Sequence, residues 1–239
     1  MNIYPDEDRS FVRFTDERIP NHEWLLRLPE YGYSNKIVKG VQWDVVEEGS
    51  HLRFSWQPPE GEAEEIGIEY ETEITAVADE MEFTVKRTNI SSSKWTDREV
   101  GSLFCLMSRD APSFHDIDGV RSYALKDEIF QSVNQLVDSR FAHHRMCVFP
   151  VRTSPDAEPD NPCERLMAKI SIDAEWVLGI ATDIAGWLSC NQQPKTSCIH
   201  SNPRWGEVEP GGEATARGKI YLVEDIDILK SRYESDFKA

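Results

Sequence analysis

The residue in this chain best placed to do chemistry is His200. It follows Cys198-Ile199 and precedes Ser201-Asn202-Pro203-Arg204-Trp205, with a Pro210-Gly211-Gly212 turn downstream. An imidazole, with an unperturbed pKa of about 6.5, exchanges protons at neutral pH. Asn202 and Arg204 add hydrogen-bonding groups, and Trp205 adds a flat apolar face suited to the C–H face of a pyranose ring. Together these have the chemistry of a sugar site with His200 as its proton-transfer group. The same residues also support plainer readings, in which His200 bonds turn backbone and Trp205 caps the core.

Two further clusters qualify. His143-His144-Arg145 offers a second proton-transfer residue. If this segment is a strand, neighbouring side chains point to opposite faces, so at most one histidine looks into a given cleft and a metal shared by both is disfavoured. His115-Asp116-Ile117-Asp118, closely followed by Arg121, is a loop able to orient a ligand. Asp116 is its acid–base candidate, and His115 and Arg121 are its binding candidates. The competing reading is turn chemistry, with aspartates accepting from backbone amides. His22 and His51 lack supporting neighbours and read as structural.

No phosphate loop, dinucleotide fingerprint, nucleophile elbow or HExxH motif is present, and no cofactor is expected. The five cysteines are an odd number with no CxxC pair. They read as reduced, buried thiols, and neither a disulfide framework nor a structural zinc site is predicted.

The elements that must hold these residues are mostly strands. Leu52, Phe54 and Trp56 alternate with Arg53, Ser55 and Gln57, after a similar run at Val41, Trp43 and Val45. Ile66, Ile68, Tyr70 and Ile74 oppose Glu65, Glu69, Glu71 and Glu73, and Met81, Phe83 and Val85 oppose Glu82, Thr84 and Lys86. Period-two alternation of this kind marks an antiparallel sheet with one wet face, and the glutamate row is then that face, not a cation site. Residues 100–107 form an apolar run without alternation, which predicts a strand buried on both faces. Further strands are predicted over 146–151, 166–172, 176–182, 186–190, 196–200 and 214–223. Leu125, Ile129, Val133 and Leu136 or Val137 recur at helical intervals and predict a short helix near 125–137. Ile226, Leu229, Tyr233 and Phe237 predict a closing helix over 225–237. Residues 1–30, punctuated by three prolines, read as irregular, and 154–162 as an acidic, Pro-rich surface loop. With no composition break or internal repeat, the expectation is a single all-β domain spanning 1–239, a large antiparallel β-sandwich.

Two stretches, Phe83–Asn89 with Gly101–Phe104 and Cys198–His200 with Pro210–Gly212 and 214–222, resemble the galactose mutarotase-like β-sandwich family, which includes the aldose 1-epimerases. One stretch that resembles it is Phe83–Asn89 followed by Gly101-Ser102-Leu103-Phe104, similar to a family strand ending in Asn, a loop, and a Gly-containing strand. The other is Cys198-Ile199-His200 followed by Pro210-Gly211-Gly212 and 214–222, similar to a Cys-Leu-Glu strand end, a Pro-Gly turn and a last strand. The resemblance implies the fold and a carbohydrate ligand. Two departures bear on activity: His200 stands where the family has a catalytic Glu, and the His expected after Gly101 is absent. Ordinary anomer interconversion pairs a general acid with a general base, so these exchanges count against it.

The expected partner is a small-molecule carbohydrate. If the protein is an enzyme, isomerase or epimerase chemistry is expected, with His200 first and His144 or His143 second. A non-catalytic carbohydrate-binding module and a structural interaction domain are the alternatives. A net charge of −17 disfavours nucleic acid and anionic membrane surfaces. No apolar run approaches the roughly 20 residues of a membrane helix. The acidic amino terminus lacks the layout of a secretion signal, so a cytoplasmic address is expected. Oligomeric state is left open.

Overall fold

The computed structural model describes residues 1–6, 9–30, 38–95, 103–136, 146–151, 163–192 and 197–238. In chain order the strands are β1 (Asn2–Pro5), β2 (Phe11–Thr15), β3 (Glu23–Arg27), β4 (Gln42–Glu47), β5 (His51–Trp56), β6 (Ile68–Val77), β7 (Glu80–Asn89) and β8 (Phe104–Asp110). They continue as β9 (Ser122–Lys126), β10 (Ile129–Ser132), β11 (Met146–Pro150), β12 (Leu166–Ile170), β13 (Val177–Thr182), β14 (Ala185–Asn191), β15 (Cys198–Pro203) and β16 (Glu213–Val223). One-turn helices α1 (Ala63–Ile66) and α2 (Val133–Leu136) and the longer α3 (Ile226–Phe237) complete the set.

The strands form two sheets. One runs β1-β2-β3-β8-β15-β14-β11, the other β10-β9-β12-β13-β16-β7-β6-β5-β4. The ladders between these strands are antiparallel. The main core lies between the sheets, where Trp24, Leu26, Phe104, Leu106, Leu188 and Ile199 of the first meet Phe83, Met167, Leu178, Ile180 and Ile220 of the second. A second cluster lies on the other face of the nine-stranded sheet. There Leu229 and Tyr233 of α3 cover Leu125, Leu166, Ala168, Tyr221 and Val223. Asp225 caps this helix by accepting from the amides of Asp227 and Ile228, the favoured arrangement for the amides a helix start leaves unpaired. The all-β sandwich and the closing helix are therefore as the sequence predicts.

Alternation reads true in β6 and β7. Ile68, Tyr70, Thr72 and Ile74 are buried, while Glu71 and Glu73 face out. In this row Glu71 is paired with Lys86 across strands at 2.8 Å and Glu73 with Arg53, and His51 Nε2 lies 2.8 Å from the same Glu73 carboxylate. Phe104 to Ser108 are all buried, as their unbroken apolar run requires.

One expectation fails and another holds only in part. Residues 1–30 are not irregular, because β1, β2 and β3 lie within them; their short apolar runs are completed by pairing, not by local pattern. The segment near 125–137 is mainly a hairpin. Lys126 pairs Ile129, and Asp127 and Glu128 turn with φ of 48° and 65°, the tight turn that matches strand twist. The i, i+4 spacing of Leu125 and Ile129 thus spans a two-residue turn, and only Val133–Leu136 is helical. The alternation at 41–45 marks the expected strand, paired antiparallel to β5, but its outer half is more exposed than a half-buried strand. β4 is an edge strand, with Val45 and Val46 49% and 45% exposed. Among the described residues no helix is long and apolar enough to cross a membrane.

Candidate functional site

β15 runs on through Pro203, so His200 sits within the strand instead of at its end. Because side chains alternate, Ile199 and Ser201 face the core, and Ser201 Oγ lies 2.5 Å from Thr182 Oγ1 on the opposing sheet. Cys198, His200 and Asn202 take the outer face. Register then decides their neighbours. His200 pairs Cys105 on one side and Ser189 on the other; Cys198 pairs Met107 and Asn202 pairs Trp187. Arg27 in turn pairs Cys105. A row of Arg27, Cys105, His200 and Ser189 therefore crosses the middle of the seven-stranded sheet, away from the main core. Cys105, Met107 and Cys198 form a small apolar cluster on this face, with Leu25 beside it.

Glu30 completes the row. The chain leaving β3 is pinned by Leu28 N–H and Ser10 Oγ–H, which donate to Ser10 O and Pro29 O at 2.9 Å each, and by Glu30 N–H donating to Leu103 O at 2.7 Å. Glu30 is 8% exposed. One carboxylate oxygen accepts from Arg27 Nη1 and the other, Oε2, lies 3.7 Å from His200 Nε2. The imidazole is held from both ends, with Nδ1 3.0 Å from Ser189 Oγ and Nε2 3.4 Å from Cys198 Sγ. Asn202 Nδ2 also donates to Ser189 Oγ at 3.0 Å, while its Oδ1 is buried with no hydrogen-bond partner among the described residues. Trp187, opposite Asn202, is half-buried.

His200 is 2% exposed. Burial works to lower its pKa, but the neighbouring Cys198 and then Glu30 outweigh it, so the net shift is upward. The Cys105 thiol donates to Cys198 and holds it well below the usual thiol range, with His200 assisting against burial. Burial and then Cys198 push Cys105 well up. Two thiols this close cannot both ionise cheaply in a low-dielectric interior.

The other predicted residues are placed differently. Trp205 is in the main core, edge-on to Phe104 at a centroid distance of 6.1 Å and beneath the Arg87 guanidinium at 4.7 Å. The capping reading applies, and its ring is not presented beside His200. Arg204 is exposed, with its Cβ against Gly186. The 115–121 loop is bonded to itself and to nearby backbone. His115 Nε2 lies 2.7 Å from Ser108 O, and Asp116 Oδ2 accepts from Arg121 N–H at 3.1 Å. Arg121 donates to the carbonyls of Ser113, Ile170 and His115. Its guanidinium is thus used as a backbone staple, and no hydrogen bond or ion pair described here joins this loop to His200. His143 and His144 lie outside the described residues.

Four participants escaped sequence reasoning. Glu30 and Arg27 come from the segment read as irregular, and Cys105 and Ser189 reach His200 only through non-local pairing. One local pattern could have been read: Cys198 and His200 at i, i+2 on a strand share a face. Beneath the site, on the core side, Lys169 is fully buried and donates to Phe114 O at 3.2 Å and to Ser197 Oγ. A separate cleft of about 1080 Å³ is lined by Asp16, Arg18, His22, Glu23, Asp79 and Asp110 among others, and none of the described site candidates lines it.

No family model matches the chain, and no curated protein matches it. Similarity is found among solved structures. Slr1438 protein from Synechocystis sp. PCC 6803 aligns with a TM-score of 0.57 at 8% identity, over 94% of this chain and 96% of that one. A galactose mutarotase-like protein from Clostridium acetobutylicum gives 0.51 at 9%, over 91% and 96%. A galactose mutarotase related enzyme from Lactobacillus acidophilus gives 0.50 at 12%, over 93% and 97%. The chain thus has the fold of galactose mutarotase-like proteins over nearly its whole length, at identities that speak to the fold alone.

Proposed function

We propose that this protein binds a carbohydrate on the outer face of the seven-stranded sheet, in the cytoplasm. The observation that carries the reading is convergence: Arg27, Glu30, Ser189, His200 and Asn202, drawn from three parts of the chain, meet on one face of a mutarotase-like sandwich. Sugar hydroxyls need paired donors and acceptors, and the unpartnered Asn202 Oδ1 is an acceptor held ready. A half-buried aromatic beside polar groups also suits a sugar ring, and that role passes from Trp205 to Trp187. Because His200 and Asn202 are closed to solvent, a ligand reaches them only when whatever lies over this face moves aside.

Titrating common aldoses and disaccharides into the protein, followed by Trp fluorescence and ligand-observed NMR, tests the reading. Saturable binding that is lost in Trp187→Ala and weakened in Asn202→Ala supports it. No binding at millimolar sugar refutes it.

A second reading is isomerase- or epimerase-type proton transfer by His200. The 3.7 Å approach of Glu30 to His200 Nε2 favours it, because it supplies an acid–base pair that the sequence did not reveal. Anomer exchange or other turnover seen by NMR, and lost in His200→Ala, distinguishes it from binding alone.

A further inference from the structure

The sequence gives no reason to expect a metal, since its cysteines are isolated. The fold changes that. Cys105 Sγ, Cys198 Sγ and His200 Nε2 lie within 4.8 Å of one another, and all three residues are buried. We propose that these three atoms form a thiophilic metal site that takes Zn²⁺, with the neighbouring Glu30 carboxylate, 3.7 Å from His200 Nε2, moving in as the fourth ligand.

The donor set suits the ion. Thiolate and imidazole select zinc over magnesium or calcium, and closed four-ligand sites are its usual structural form. The spacing suits it as well. With Zn–S of about 2.3 Å and Zn–N or Zn–O of about 2.0–2.1 Å, ligand atoms of a tetrahedral site stand roughly 3.3–3.8 Å apart. Here Cys198 Sγ is 3.4 Å and Glu30 Oε2 3.7 Å from His200 Nε2. The outer groups fit equally well. With zinc bound, Ser189 Oγ at 3.0 Å from Nδ1 accepts a hydrogen bond from that nitrogen's N–H and leaves the Nε2 lone pair toward the sulfurs, as partners of metal-bound histidines do. Two thiolates and a carboxylate around Zn²⁺ leave one net negative charge, and Arg27, paired to the other oxygen of Glu30, offsets it. A strand geometry explains why the ligands meet. Cys198 and His200 share a face at i, i+2, and Cys105 stands directly across from His200.

The zinc site does not rest on sugar binding and is read without any sugar. It does compete with the proton-transfer reading, since a nitrogen bound to zinc is not free to carry a proton. The test uses the full chain, purified under reducing conditions, stripped with a chelator and titrated with Zn²⁺ against a chromophoric competitor. Co²⁺ serves as a spectroscopic probe. The expected result is one Zn²⁺ per chain, displaced stoichiometrically by Co²⁺ with sulfur-to-cobalt charge-transfer absorption. Cys105→Ser, Cys198→Ser and His200→Ala each weaken affinity more than tenfold, Ser189→Ala weakens it by about tenfold, and Cys163→Ser leaves it unchanged. Should the cysteine variants fail to fold, protection of two thiols from alkylation by Zn²⁺ in the wild-type chain carries the same information. Absence of stoichiometric zinc at micromolar free metal, a cobalt spectrum without thiolate bands, or alkylation of both thiols in the presence of zinc overturns the proposal.

Discussion

Lys169 offers the sharpest test of the packing beneath the site. Its ammonium lies in the core between two sheets, with Phe114 O and Ser197 Oγ as its hydrogen-bond acceptors. Burial, only partly opposed by Cys198 and Asp116, lowers its pKa from 10.5 to about 8. A lysine whose folded pKa lies below its unfolded value binds fewer protons when folded, so the slope of stability against pH is positive. The cost of its charge is present in full below pH 8 and fades as pH rises from about 8 toward 10.5. At about 1.36 kcal/mol per pKa unit, the shift is worth roughly 3 kcal/mol, and no allowance for solvent screening applies to a fully buried group. Lys169→Met keeps most of the volume and removes the charge. Urea unfolding of both proteins at intervals from pH 7 to 10.5 should show the variant gaining on the wild type at pH 7. That advantage should shrink by about 3 kcal/mol by pH 10.5. Subtracting one curve from the other removes the tyrosines, thiols and surface lysines common to both. A difference that stays flat across this range, whatever its sign, would refute a depressed Lys169 pKa. A difference that grows with pH would refute the burial argument itself.

Other consequences are simpler to read. Trp205→Ala should lower stability by about 3–5 kcal/mol, measured by urea unfolding, since it removes a core ring from beneath Arg87. An unchanged midpoint would return Trp205 to the surface. Gly218→Ala places a Cβ 2.2 Å from Phe83 Cζ and 2.7 Å from Ala181 O. It should cost about 1–3 kcal/mol, seen as a fall in Tm by calorimetry. Asp225→Ala removes the acceptor for the Asp227 and Ile228 amides and should cost about 1 kcal/mol, with loss of amide-exchange protection concentrated in α3.

The fold was legible where burial is one-sided. In β6 and β7 the sequence alternates because the sheet does, and at 226–237 the apolar stripe repeats because a helix lies on a sheet. It was less legible where pairing supplies what the local pattern lacks. β1, β2 and β3 are only four or five residues long, too short for period to declare itself, and the 125–132 hairpin has an apolar spacing that a helix would share. The candidate site divides the same way. His200, Asn202 and Cys198 could be found because they are neighbours in sequence. Glu30 and Arg27 could not, because only the β3–β8 ladder brings them within reach. Trp205 misled because an aromatic beside a polar turn looks the same whether it faces a ligand or the core. Only the non-local pairing of β7 with β16, and of β8 with β15, places Arg87 and Phe104 around it.

The outer strand β4 carries a different consequence. Its backbone ends a nine-stranded sheet and presents exposed Val45 and Val46, a combination that invites another chain to add a strand. Asp44, Glu47 and Glu48 flank those valines, and the chain as a whole is strongly anionic. Repulsion between like-charged edges works against such pairing. Acidification, or high salt, weakens that repulsion while leaving the valines in place. Colloidal solubility should fail at this edge before the sandwich itself unfolds.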